Sequence, residues 1–318
     1  MAELTTYEMN QRVINQLDSD REELRKEGAD NVTNYTRMRV REDGILRRVM
    51  PPTPITNDQL DRAVDHDGLC KIVDKEADSP AAVSLPFATL PANQYIVGDR
   101  YRVDMARIMT PRFTSDVDQL RSHDYDIREV ISNNSLKDVL AEEDGKFFGL
   151  VNTLLVGRGI PIAAAGGLPL WQAIAGGVTR ETLNDALKIM PRTPARLSTT
   201  TIVANQIFAK DLQKWGFDET GGDISQEIFN KGIVERELFG VRWLFTIKRN
   251  LVPDNTIFMF TQPDHLGKFF ILEDLVMHVK KEAFLLWWFA YELIGAAIGN
   301  TNGIARVDYG AQPAARAY

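Results

Sequence analysis

Residues 283–309 read AFLLWWFAYELIGAAIGNTNGIARVDY. From 284 to 291 no polar residue marks a solvent face, and Phe284, Leu286, Trp287, Trp288, Phe289 and Tyr291 follow one another almost without a break. A short continuous apolar run of this kind fits a strand covered on both faces, or a buried helical segment. Burying each such side chain is worth roughly 1.5–3 kcal/mol, so these six residues are the expected core anchors. Glu292 interrupts the run, and the apolar stretch is about three residues short of the roughly 20 that cross a bilayer. A soluble chain without membrane contact is expected. Asn300, Thr301, Asn302 and Gly303 form a turn signal, and the alternation from Ile304 to Tyr309 reads as a last strand. The expected arrangement is a terminal hairpin closed at 300–303.

Working outward, residues 240–282 are a succession of β-rich segments. Further upstream, Ile127, Val130, Ile131, Leu136, Val139, Leu140, Phe147, Phe148, Val151, Leu154 and Leu155 recur at helical spacing. The pattern predicts one helix of about 30 residues ending at Gly157. Gly145 and Gly149 mark a kink or the close approach of another backbone. Residues 157–177, GRGIPIAAAGGLPLWQAIAGG, are glycine-rich and apolar. No Gly-Lys-Ser/Thr follows and no GxGxxG opens a helix, so a packed or flexible loop is expected rather than a phosphate cradle. A helix begins after Thr179 as N-cap, with Glu181 in its first turn, and ends before Pro191. Position 182 is Thr rather than Glu or Gln, so no full capping box is expected. A short strand at 200–205 and a second helix reaching Trp215 follow.

Residues 55–112 are poor in helix signals and punctuated by Pro80, Pro86, Pro91 and Pro111. Tyr95, Val97, Tyr101, Val103, Ala106 and Ile108 mark strands there. So long an extended stretch is unusual as a loop and makes sense as a projecting β-arm covered by other copies. Before it lie an amphipathic segment at 3–27, with Gly28 as its stop, and a basic segment carrying Arg37, Arg39, Arg41, Arg47 and Arg48. Those arginines are candidates for contact with phosphate or an acidic neighbouring chain; the alternative is a solvated strand face.

With 318 residues, one large domain or two interleaved ones are expected. Hydrophobic content of 44% and charged content of 25% are ordinary for a globular chain. A net charge of −7 argues against a tight nucleic-acid binder, which neutralises phosphates with Lys and Arg. The one cysteine, Cys70, excludes an intramolecular disulfide framework. The charged N-terminus does not read as a secretory signal.

No catalytic constellation emerges. GxSxG is absent, and His66, His123, His265 and His278 are isolated, without HExxH spacing. Asp58, Asp61, Asp65 and Asp67 lack the order of a calcium loop. Glu142 with Glu143, and Glu273 with Asp274, are sequence neighbours that need not converge. No catalytic residue, cofactor or metal is therefore assigned.

The order of parts, together with ELIGAAIGNTNGIARVDYG at the end and the Pro-Asp turn in NLVPDNTIFMF, resembles the major capsid proteins of tailed bacteriophages. These share the Hong Kong 97-like fold with encapsulins. The resemblance implies an α+β fold with an N-terminal arm at 1–45 and an extended β-loop at 46–110. It further implies a peripheral domain from 111–156 with 268–318, including the long spine helix, and an axial domain at 157–267. It implies a homo-oligomer of pentamers and hexamers closing into an icosahedral virion capsid, assembled in the host cytoplasm. Weak non-specific contact with packaged double-stranded DNA follows, as do portal, scaffold and decoration proteins as partners. Some family members cross-link through a Lys–Asn bond; Lys71 and Lys75 lie in the arm, but no partner Asn matches. Two other readings stay open: an encapsulin-like cargo shell, whose members usually lack so long an arm, and a soluble α+β enzyme using the glycine-rich loop for a ligand. Another virion or tail-associated protein is a third.

Overall fold

The computed structural model describes residues 12, 15, 16, 23, 44–62, 68–75, 98–116, 127–157, 170–193, 195–212, 235–246 and 248–310. Within 3–27 only positions 12, 15, 16 and 23 are described, and they are helical; the expectations for Arg37, Arg39, Arg41, Asp65, His66, Asp67, Tyr95, Val97, His123, the glycine-rich 158–169 and the helix end at 213–215 lie outside the described residues. In chain order the strands are β1 (Thr53–Pro54), β2 (Cys70–Lys75), β3 (Asp99–Asp104), β4 (Ala106–Met109), β5 (Phe113–Asp116) and β6 (Trp171–Ile174). They continue with β7 (Thr201–Asn205), β8 (Glu235–Leu238), β9 (Val241–Thr246), β10 (Thr256–Phe260), β11 (Gly267–Glu282), β12 (Leu285–Ile298) and β13 (Ile304–Tyr309).

The first sheet is dominated by one long hairpin, β11 antiparallel to β12, in the order β1-β11-β12-β4, with β5 also pairing β12. Its turn is Ala283–Phe284, where Ala283 takes a left-handed φ of 55°. No Gly or Asn marks this reversal, so it carries none of the usual turn chemistry. Gly267 and Gly295 sit where a side chain has no room. A Cβ at Gly267 would strike the Ala297 carbonyl, and one at Gly295 would lie 2.7 Å from Met105 Sδ.

The second sheet runs β6-β13-β10-β7-β9-β8. β7 and β10 are buried at every position, as central strands must be when both faces are covered. Asn205 ends β7 and starts the helix Gln206–Leu212: its Oδ1 accepts from the Ile207 amide (3.0 Å) while its Nδ2 donates to the Val252 carbonyl (3.0 Å).

The terminal hairpin expected at 300–303 does not form. β12 pairs with β11, β4 and β5, whereas β13 pairs with β10 and β6. The turn at Thr301–Gly303 instead carries the chain from one sheet to the other, with the Asn300 side chain accepting from the Asn302 amide. β13 thus stands among strands drawn from 171–260, across the boundary at 267/268. A turn signal records a change of direction but not the partner the next strand takes.

The helix Ile127–Gly157 spans 31 residues, close to the expected length and end. Phe147 and Phe148 lie within 5.5 and 5.0 Å of Phe260 and Phe258, ring centre to ring centre, so its second half packs on the six-stranded sheet. Val139 and Leu140, a few turns earlier, are buried together with the short helix Ile45–Val49 and with Ile108 of β4. One helix therefore lies along both sheets. Arg306 of β13 fastens its far end: Nη1 donates to Asn152 (3.1 Å), Nε donates to Asp308 (3.0 Å), and the guanidinium stacks 4.5 Å from Trp171.

Two local expectations change. Thr179 caps the helix Arg180–Leu187, and Thr182 supplies the reciprocal half of a capping box, its Oγ1 accepting from the Thr179 amide at 2.9 Å. The Thr182 hydroxyl, at the third helical position, serves here in place of a Glu or Gln side chain. Among the six core anchors, burial alternates. Leu286 and Trp288 are buried, Trp287, Phe289 and Tyr291 are half-buried, and Phe284 is 77% exposed at the hairpin tip. Phe284 is not a core residue. The run is continuous in hydrophobicity because a second face is apolar, not because the chain itself covers that face.

Candidate functional site

Two features of the five-stranded sheet stand out, one on each of its faces. On the inward face, the short helix Ile45–Val49 lays Arg47 between the long helix and β12. Arg47 Nε donates to both carboxylate oxygens of Glu143 (3.0 and 3.2 Å), and Nη2 donates to Glu292 Oε2 (2.9 Å). Asp274 approaches Nη1 at 3.7 Å, placed there by register irregularities of β11 between Ile271 and Val276. Beside this group, Asp144 accepts from the Leu46 amide (3.0 Å) and from Lys248 Nζ (2.7 Å). The side chains of Glu143, Asp144 and Glu292 have no solvent exposure at all.

Four carboxylates thus meet two cations; Glu143, Asp144, Glu292 and Arg47 are shut off from water, where charge is costly, while Asp274 and Lys248 keep 23% and 31% exposure. Burial pushes the Glu292 carboxyl up to about 8, helped by Glu143 and Asp274 and opposed by Arg47 and Lys146. Glu143 is also raised by burial, against the pull of Arg47. Burial would lower the Arg47 guanidinium, but Glu143, Glu292 and Asp274 together hold it above its ordinary value. Glu292 Oε1 is buried without a hydrogen-bond partner, so a proton rather than a negative charge suits it.

The outward face is a different surface. Trp287, Phe289 and Tyr291 alternate along β12 and stack at 6.1 and 6.2 Å. His278 of β11 lies 5.2 Å from Phe289 and 5.7 Å from Trp287. Arg112 stands 3.9 Å over the Trp287 ring, Lys280 5.6 Å from it, and Arg107 5.8 Å from Tyr291. Met109, opposite Tyr291 in the register, is 53% exposed. Phe284 and Leu285 extend this apolar strip to the hairpin tip. An aromatic strip rimmed by cations and left partly open is the signature of a contact surface rather than of a reaction centre.

The β2–β3 hairpin offers a third surface. Ile72 and Leu69 are exposed, while Val103 is buried against Ile55 and Phe270. Its outer side is lined by the ion pair Arg100–Asp74 (2.8 Å).

The arginine candidates divide accordingly. Arg47 is buried in the charge cluster and faces neither nucleic acid nor a neighbour, because three carboxylates draw it inward; Arg48 is half-buried. The carboxylate neighbours noted in the sequence do converge in part: Glu143 and Asp274, one from each pair, meet at Arg47. Asp144, Lys248 and Glu292 were missed as members of the cluster. The available signals were a lone Glu in the most apolar run of the chain and an Arg inside ILRRV, both of which need a buried partner. His265 is exposed in the short helix Pro263–Leu266. Among the described residues, no group of His, Cys, Asp and Glu is placed to hold a metal ion, and no helix is long and apolar enough to cross a membrane.

No protein-family model and no curated protein matches the sequence. Solved structures do match. The chain is similar to the asymmetric unit of the bacteriophage PhiM1 mature capsid, with TM-score 0.58 and 9% identity over 85% of this chain and 88% of that one. A structure from Mycobacterium phage Bobi gives 0.57 and 9% over 85% and 91%. A virus-like particle from Pyrococcus furiosus gives 0.51 and 14% over 88% and 98%.

Proposed function

We propose, from a chain that carries the α+β Hong Kong 97-like capsid fold, that this protein is the major capsid protein of a tailed bacteriophage. It assembles through pentamers and hexamers into an icosahedral shell around packaged double-stranded DNA, and its role is structural rather than catalytic. The observation that carries this reading is the likeness over most of both chains to a mature phage capsid subunit. The open aromatic face supplies the physical means. A strip that one molecule leaves half-exposed is completed by a second copy, and weak contacts repeated around a ring add up to a stable assembly.

In this reading residues 1–45 are the arm and 46–110 the extended loop, whose described part includes β1 to β4. The peripheral domain combines 111–156 with the long hairpin from 268 onward, and the axial domain is 157–267 joined by β13. Arg37, Arg39, Arg41 and Arg48 remain candidates for the inner surface, where an acidic subunit needs local positive charge near DNA. Portal, scaffold and decoration proteins are the expected further partners, with the virion as the final location and the host cytoplasm as the place of assembly.

The match to nearly the full length of the Pyrococcus furiosus virus-like particle chain favours one second reading, a shell for protein cargo. Negative-stain microscopy of the expressed chain tests both. Shells, tubes, pentamers or hexamers support assembly; a monodisperse monomer at high concentration overturns it. Shells co-purifying with a protein cargo from their native host, and without nucleic acid, favour the second reading.

A further inference from the structure

The segment Gly44–Met50 buries Ile45, Leu46, Val49 and Met50 in the main core and carries polar bonds beside them. The Leu46 amide donates to Asp144, Met50 donates to the Leu46 carbonyl (2.8 Å), and Arg47 reaches Glu143, Glu292 and Asp274. The charged groups facing Glu292 come from every element around it. They are Arg47 on the short helix, Glu143 and the more distant Lys146 on the long helix, and Asp274 on β11; Asp144, beside Glu143, holds Lys248, and Ile108 of β4 is apolar. Two close cations cannot neutralise four carboxylates, and Glu292 Oε1 has no partner.

From this geometry we infer that Glu292 is a proton-operated latch for the Gly44–Met50 segment. With a proton on its unpartnered oxygen, Glu292 leaves Glu143 as the full counter-charge of Arg47, and the segment stays seated between helix and sheet. Without that proton, the closed arrangement crowds a further buried negative charge against Glu143 and Asp274. Lifting the segment admits water to the carboxylates and removes this cost. The proton is needed only in the closed form, so opening becomes easier as pH rises from the ordinary carboxylate range towards the value that burial imposes on Glu292. The inference does not depend on shell formation, and it is read on dispersed subunits or on shells alike.

Hydrogen exchange of the full chain at pH 6 and pH 8, corrected for the chemical exchange rate, tests it. Protection of the Leu46, Arg48 and Met50 amides is expected to fall by about tenfold or more across that interval. In Glu292→Gln, which keeps the shape and cannot ionise, the same amides hold their protection within about twofold. Amides of Ile257–Phe260 serve as the folding control in both proteins. Equal protection at the two pH values in the unsubstituted protein overturns the inference, as does an undiminished pH effect in Glu292→Gln. If that variant does not fold, the carboxyl carbon shift of Glu292 in the unsubstituted protein decides. A midpoint near the ordinary glutamate value of 4.5 overturns the latch, and one raised well above it supports it.

Discussion

Arg47 and Glu292, 245 positions apart in the chain, meet with Nη2 2.9 Å from Oε2, and neither side chain is more than 2% exposed. The contact joins the short helix Ile45–Val49 to the strand at the middle of the five-stranded sheet, and Glu143 brings the long helix into the same bond network. Replacing Arg47 by Met strands Glu143 and Glu292 without their main cation. A loss of roughly 3–5 kcal/mol is expected from removing one partner of a buried pair, read as a lowered midpoint in denaturant unfolding. Arg47→Lys should recover only part of it, because a single ammonium cannot reach Glu143 and Glu292 in the same planar geometry.

Stability should also depend on pH in a definite direction. Glu292 binds its proton more tightly in the folded protein, up to about 8 against an ordinary 4.5. Its contribution is therefore fully present below pH 4.5 and is lost as pH rises through 8. Urea titrations between these limits should show this contribution weakening with rising pH. In Glu292→Gln the corresponding part of the slope should vanish.

The long helix and the six-stranded sheet meet through Phe148 and Phe258, edge to face at 5.0 Å. Phe148→Ala leaves a cavity at a fully buried position. It should cost about 3–5 kcal/mol in global unfolding.

Phe284 and Trp288 lie four positions apart, and truncation should affect them differently. Trp288→Ala removes a buried ring stacked at 6.0 Å on Phe113 and should lower subunit stability by about 3–5 kcal/mol. Phe284→Ser, at the exposed tip, should change it by no more than about 0.5 kcal/mol. Under the proposed function the same Phe284→Ser should reduce the yield of assembled particles, measured by sedimentation. Normal assembly would exclude the tip from the contact surface.

Gly267→Ala probes backbone packing alone. The new methyl group meets the Ala297 carbonyl directly, so β11 and β12 must separate locally, at a cost of about 1–3 kcal/mol in thermal unfolding.

Elements with strong local signals were legible in the sequence. The long helix appeared through its apolar spacing and its stop at Gly157, and the short strand expected at 200–205 is β7, with a helix following it. Pairing was not legible. Asn300–Gly303 looks like a hairpin turn, yet β13 finds β10 and β6, whereas the true hairpin turns on Ala283 and Phe284, which carry no turn signal. The charge cluster was hidden for a related reason: Arg47, Glu143, Asp274 and Glu292 come from four separate elements, and only tertiary contact brings them together. The half-open aromatic face was misread because a strand covered by its own chain and one awaiting another surface have the same composition.

The chain passes from the six-stranded sheet into the five-stranded one at 261–266 and returns at 299–303. These two passages are stitched to each other: Gly299 and Asn300 both donate to the Leu266 carbonyl at 3.1 Å, and Thr261 donates to Gly303 at 3.0 Å. Three backbone bonds at Leu266 and Gly303 hold the outgoing and returning passages side by side, so loosening either one unsettles the other.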